Sequence, residues 1–180
     1  RLTEAFLHNP LRVEVSKPAS AATTITQRVV KLPGGDPRTR RAGLRAVLKA
    51  STIKNGIIFC NRKTDVDVVA DSLKRHGFNA APIHGDLDQR TRTATLERFK
   101  TGTLQFLIAS DVAARGLDIP AVSHVFNYEP PRHADDYVHR IGRTGRAGLE
   151  GASFTLIAPA DRKSLDAIEK LTGKPIAKAQ

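Results

Sequence analysis

The feature that most constrains this chain is an alternation of short strand-like runs with segments of helical period. Ile57-Ile58-Phe59-Cys60 is apolar at every position, the mark of a strand buried on both faces. Residues 25–32, 80–83, 104–109, 122–126 and 152–158 are further strand candidates. Helical segments lie between them. Asp36-Pro37 places an N-cap before proline at the first helical position, and Leu44, Val47 and Leu48 form that helix's apolar face. Thr64-Asp65-Val66-Asp67 resembles a capping box, with Asp in place of Glu or Gln. Its predicted helix buries Val66, Val69, Ala70 and Leu73 and stops at Gly77. Asp88 is positioned to cap a helix ending at Gly102. Two more helices are expected, at 135–141 and at 161–171, the latter with Leu165, Ile168 and Leu171 on one face.

Strands alternating with helices imply right-handed βαβ units, hence an α/β fold with a parallel sheet flanked by helices on both faces. Ligands of such sheets sit at the carboxyl ends of the strands. The loops after Cys60, Ile83, Ala109 and Phe126 should therefore share one functional edge. Residues 1–23 fit this plan poorly and read as the end of a preceding helix and an interdomain linker. The domain proper is expected over 24–173, with a basic C-terminal tail beginning at 174–180.

The chain has 180 residues, enough for one domain with its own core. It opens on Arg1 and contains no methionine, which reads as a piece of something longer. No signal peptide is evident, and no apolar run reaches the roughly 20 residues of a membrane helix. The single cysteine, Cys60, excludes an internal disulfide and a Cys-based zinc cluster, and points to a reducing, cytoplasmic setting. Lys and Arg number 29 against 18 Asp and Glu, a net charge of +11. That excess favours a polyanionic partner over a merely solvated surface. Aromatic residues make up 5% and tryptophan is absent, which argues against a base-stacking platform.

Four segments carry the candidate chemistry. The densest is His139-Arg140-Ile141-Gly142-Arg143-Thr144-Gly145-Arg146-Ala147-Gly148. Its arginines recur every third residue between glycines; guanidiniums grip phosphate oxygens bidentately, and glycine lets backbone approach a ligand closely. A solvated basic loop would have the same composition but no reason for the regular spacing. The second, 109–118, follows a buried strand, and Ser110 could hold a phosphate at a helix start. An ordinary N-cap with an Arg115–Asp118 pair fits the same letters. The third is His84-Gly85-Asp86 with Gln89 and Arg92 one helical turn apart, which also fits a solvated helix face. The fourth, Asn61-Arg62-Lys63, sets polar groups just past the strand ending at Cys60. No Gly-x-x-x-x-Gly-Lys-Ser/Thr loop is present to cradle a triphosphate. The histidines lack metal-ligand spacing, so no metal site is expected.

In this order and spacing the segments resemble the C-terminal RecA-like domain of DEAD-box RNA helicases of superfamily 2, over about residues 25–172. Residues 58–63 resemble motif IV, 89–92 motif IVa, 110–118 motif V and 139–146 motif VI. The wording is most similar to the bacterial RhlE-type branch. The resemblance implies that Arg143 and Arg146 are arginine fingers for ATP bound with Mg2+ mainly on an N-terminal RecA-like domain of the same protein. It implies that His139 couples the nucleotide site to that domain, that Asp118 contacts the ribose and that Gly116 lies beside the γ-phosphate. Asn61, Arg62, Gly85, Gln89, Arg92 and Ser110 fall where the family holds the RNA backbone or orients its contacts. Two positions depart from the pattern: Ser110 stands where threonine is usual, and Arg62 where a small hydroxyl is usual. The implied function is half of an ATP-dependent RNA helicase, with this domain alone inactive. The alternatives are a non-catalytic RNA-binding or partner-docking module, and a superfamily 2 motor acting on DNA.

Overall fold

The computed structural model describes residues 11–14, 24–146 and 149–179. Strands β2 (Thr24–Lys31), β3 (Gly56–Cys60), β4 (Ala80–Ile83), β5 (Phe106–Ser110), β6 (His124–Asn127) and β7 (Gly151–Ile157) pair in the order β2-β7-β6-β3-β5-β4, all parallel. Helices α1 (Pro37–Ala50), α2 (Lys63–Arg75), α3 (Gln89–Lys100), α4 (Asp111–Arg115), α5 (Ala134–Ile141) and α6 (Arg162–Thr172) connect them. This is the α/β parallel sheet expected from the alternation, in the RecA-like form that the resemblance implied.

Strand β3 shows why the apolar run was so regular. Ile58 and Cys60 face a core built with Leu44 and Val47 of α1 and Val66 and Leu73 of α2. Ile57 and Phe59 face the opposite core, with Phe99 of α3 and Leu107. Beyond it on that second face, Tyr137 of α5 and Leu165 and Ile168 of α6 cover Ile25 and Val29. A central strand buried on both sides has no polar face to alternate with.

Local signals place most helix starts. Asp36 accepts a hydrogen bond from Thr39 N and Asp88 one from Thr91 N, each as a side-chain N-cap. The box at Thr64 does not form. Helix α2 begins at Lys63, with Arg62 at the cap position and no side-chain capping bond. Asp67 instead turns to the buried ring of His84, whose N–H would otherwise lack a partner.

The sheet is also wider than the sequence suggested. Within the stretch read as a linker, β1 (Leu11–Glu14) pairs antiparallel with β2; the rest of 1–23 lies outside the described residues. Within the stretch read as a tail, β8 (Lys178–Ala179) pairs parallel with Val29 and Val30, and Ile176 is buried. Residues 176–179 thus continue the domain past residue 173.

Candidate functional site

The parallel register aligns the carboxyl ends. Cys60 lies opposite Ser110, Ile83 opposite Ala109, and Phe59 opposite Asn127. Asn61, His84, Asp111 and Tyr128 therefore leave the sheet along one edge.

Arg140, 1% exposed, is the hub of that edge. Its Nε and Nη2 donate to the two carboxylate oxygens of Asp111, each at 2.8 Å. Nη2 also donates to Asn61 Oδ1 at 2.7 Å, and Nη1 to Glu129 O at 3.0 Å and Asn127 Oδ1 at 3.3 Å. The guanidinium lies over the Phe59 ring, 5.3 Å from its centroid. Asn61 completes the knot: its side-chain amide donates to Pro130 O and its backbone N–H to Glu129 Oε2. Arg140 thus ties the segments after β3, β5 and β6 together, and its donors are already spent inside the protein. Sequence reasoning missed this role. The Asn61 side chain, expected near RNA, bonds Arg140 and Pro130.

The other two arginines are presented differently. After α5, Thr144 is fully buried, forms a bridge with Val122 and donates its hydroxyl to Val122 O; Val122 N donates to Arg143 O. Gly145 takes a left-handed φ of 67°, which favours glycine. Gly151 lies against this turn so closely that an added Cβ would stand 2.2 Å from Thr144 Oγ1. The glycine and threonine positions therefore serve the loop's seat. Arg143 and Arg146 project from it. Arg143 is half-buried and among the described residues donates only to Ala114 O, at 3.1 Å. Burial, and then the neighbouring Arg146 charge, hold its pKa below the usual arginine value. Arg146 is exposed. Neither guanidinium meets a carboxylate among the described residues.

His139, exposed on α5, lines a small cleft with Arg143, Ala114, Arg115 and Asp136. Arg115 pairs with Asp136 at 2.9 Å, not with Asp118. Asp118 is left exposed with no hydrogen bond or ion pair among the described residues. Gly116 ends α4, and a Cβ there would meet open space. Ser110 caps α4, its Oγ accepting from Ala113 N at 3.4 Å, so the hydroxyl hydrogen remains free to donate.

On the far side of β5 the turn after β4 is braced from α2. His84 Nε2 lies 3.0 Å from both Asp67 oxygens, and His84 Nδ1 accepts from Asp86 N at 3.2 Å. The backbone bond to Nδ1 fixes the Nε2–H tautomer. Lys63 Nζ reaches Asp86 at 3.0 Å. Gly85, between these anchors, has empty space around its Cα. Arg92 Nη2 donates to Gln89 Oε1 at 2.8 Å, while Arg92 Nε is buried without a partner among the described residues. Arg62, largely exposed, makes a 3.3 Å contact with Asp65. Cys60 is buried, and burial pushes its thiol pKa well up, so it is an inert core residue.

The edge thus holds two groups of residues with polar atoms left over after their bonds among the described residues. One comprises Arg143, Arg146, Asp118 and Gly116; the other Ser110, Gly85, Arg92 and Arg62. Among the described residues no cluster of three ligating side chains is disposed around a metal, and no helix is long and apolar enough to cross a membrane.

The family described as the helicase conserved C-terminal domain matches residues 40–148. The chain is 40% identical over 172 residues to the DEAD-box ATP-dependent RNA helicase CshA of Bacillus licheniformis, covering 96% of this chain and 35% of that protein. It is 38% identical to RhpA of Helicobacter pylori, over 94% of this chain and 34% of that protein. It therefore spans about a third of the length of these curated relatives. Among solved structures, the E. coli DEAD-box protein SrmB bound to the regulator of ribonuclease activity A superposes with TM-score 0.78 at 35% identity, over 84% of this chain and 89% of that one. The C-terminal domain of the DEAD-box protein Dbp5 gives 0.77 at 31%, over 84% and 88%. Fold, edge geometry and these likenesses agree: the chain belongs to the helicase conserved C-terminal domain family, as the C-terminal RecA-like domain of a DEAD-box helicase.

Proposed function

We propose that the protein carrying this domain is an ATP-dependent RNA helicase working in the cytoplasm. In this reading the domain supplies Arg143 and Arg146 to ATP held on an N-terminal RecA-like domain, and its carboxyl edge provides half of an RNA-backbone surface. One observation carries the assignment. Of three evenly spaced arginines, Arg140 is consumed internally, while Arg143 and Arg146 stand on a clamped turn without a counter-charge among the described residues.

Phosphoryl transfer is accelerated by placing positive charge where negative charge develops. The buried Thr144 seat holds the Arg143 and Arg146 backbones before any ligand arrives, so little order has to be created when the domains close. His139 lies in the same cleft as Arg143 and is suited to report domain closure to it. Asp118, exposed and without an ion pair among the described residues, can accept from ribose hydroxyls, and Gly116 leaves its backbone open to a phosphate. Mg2+ neutralises phosphate charge in this chemistry; its ligands are assigned to the other domain.

On the RNA side, Gly85 lets a strand approach the backbone. Ser110 Oγ–H and the Arg62 and Arg92 guanidiniums offer donors to phosphate oxygens, with Gln89 orienting Arg92. Phosphate contacts position a strand without reading its sequence, so recognition is of backbone. RNA held across both domains favours closure, and closure brings the arginines to ATP.

The test is Arg146→Ala in the full-length protein. ATP turnover at saturating RNA should fall by roughly 10³ or more, the low end of the arginine-finger range, with nucleotide-free RNA affinity little changed. Normal turnover with collapsed RNA affinity would instead establish a non-catalytic RNA-binding module.

A further inference from the structure

Helix α1 carries Arg38, Arg40, Arg41, Arg45 and Lys49 and not one carboxylate. Arg40 points inward: Nη1 donates to Tyr128 O at 2.9 Å, and Nη2 pairs with Asp161 at 2.9 Å. The other four follow a different rule. At 100° per residue, positions 38, 41, 45 and 49 fall within about 80° of one another, one turn apart along a single stripe of about 16 Å. Arg38 and Lys49 are exposed, and Arg41 and Arg45 half-exposed beside the buried face of Leu44, Val47 and Leu48. Arg45 donates to Ser72 Oγ of α2 at 3.2 Å, and Asp36, the cap of the same helix, lies near Arg38. No ion pair joins any of the four to a carboxylate among the described residues.

This arrangement works against the helix that carries it. Arg41, Arg45 and Lys49 stand at successive i,i+4 positions, where like charges repel. Arg38 sits in the first turn, where the helix dipole disfavours a cation. A surface shaped only for solubility intersperses the two signs. An external anion that runs along the helix relieves both penalties.

We propose that this stripe is a track for an RNA phosphate backbone, continuing the RNA path away from the carboxyl edge. The proposal rests on the reading of that edge as an RNA surface. The helix begins there: Arg40 lies over the Tyr128 ring, 5.8 Å from its centroid, immediately after β6. With one charge per 3.4 Å along each strand of a duplex, a 16 Å stripe faces about five phosphates. An acidic protein would meet the same charges, but a protein interface is anchored by buried apolar or aromatic side chains. Helix α1 exposes no large hydrophobic residue, and α2 beside it exposes only Val68.

The experiment compares the 180-residue chain with a variant carrying Arg38→Gln, Arg41→Gln, Arg45→Gln and Lys49→Gln, which keeps helix propensity nearly unchanged. A hexauridylate reports the edge alone, and long polyuridylate reports edge plus track. The quadruple variant should bind hexauridylate as the parent does. For polyuridylate its slope of log affinity against log salt should become shallower by about 3, at 0.7 per phosphate released. Replacing the three arginines with lysine should restore the slope, since backbone contact needs charge and not a fork. Arg92→Ala serves as the separate arm for the edge and should weaken both RNAs. Parental slope in the quadruple variant overturns the track, whatever Arg92→Ala does. So does a loss of polyglutamate binding with polyuridylate binding intact, which would mark the stripe as a surface for acidic proteins.

Discussion

At the scale of single residues, what decides a side chain's role is whether its charge and hydrogen bonds are already answered within the fold. Arg140 and Arg146 have the same chemistry, yet Arg140 makes five hydrogen bonds from a site that is 1% exposed and Arg146 stands in solvent. His124 shows the same principle in a titratable group. Its ring stacks on Phe126 at 5.8 Å and Phe154 at 6.4 Å. Burial lowers its pKa to about 4, from about 6.5 in an unfolded chain. Between those values the unfolded chain binds a proton that the folded chain refuses. Stability is therefore fully present above pH about 6.5 and falls as pH drops toward 4, by up to about 3 kcal/mol from this group. Urea unfolding between pH 7 and 5 should show that loss. His124→Phe, which keeps the stack, should flatten the profile, and an unchanged profile would mean that His124 titrates normally in the fold.

At the scale of elements, the turn after α5 depends on a strand that follows it. Gly151 opens β7, and a Cβ there would stand 2.2 Å from Thr144 Oγ1 and 2.4 Å from Gly145 N. Gly151→Ala must push the arginine turn off its bridge with Val122. The expected cost is about 1–3 kcal/mol, as for other overpacked sites, read from urea unfolding. In the full-length protein ATP turnover should fall as well, while nucleotide-free RNA binding holds. Unaltered stability would show that the turn is not seated by this contact. The same dependence explains what could be read from the letters. Strands β3 and β5 were legible because burial on both faces leaves an apolar run, and the caps at Asp36 and Asp88 because capping bonds span three residues. The box at Thr64 misled because Asp67 is claimed by His84, 17 residues away. Strands β1 and β8 are four and two residues long and exist through pairing with β2, which no local pattern encodes. The even spacing of Arg140, Arg143 and Arg146 suggested a phosphate-binding segment but gave no sign that Arg140 is spent inside the fold. Its partners there include Asp111 and Asn61, 29 and 79 residues distant.

At the scale of the whole molecule, the chain has a net charge of +11 and no triphosphate-cradling loop. In the proposed reading it offers Arg143 and Arg146 to a nucleotide that another domain holds. By itself it should bind RNA with strong salt dependence and little sequence preference, and hydrolyse no ATP above background. The full-length protein should differ through linkage. On the proposed function both ligands should favour one closed arrangement: ATP because Arg143 and Arg146 would reach it only on closure, RNA because the carboxyl edge would supply half its contacts. Two ligands that stabilise the same state must strengthen each other, and by the same factor in either direction. The factor by which RNA tightens a non-hydrolysable ATP analogue should thus equal the factor by which that analogue tightens RNA. Arg143→Lys keeps the charge but loses the planar two-pronged donor, so it should shrink both factors together while leaving nucleotide-free RNA affinity near its parental value. Titrations of each ligand with and without the other, on parent and variant, measure all four quantities. If Arg143→Lys leaves the coupling intact, or lowers RNA affinity in the absence of nucleotide, Arg143 acts on RNA and not on ATP.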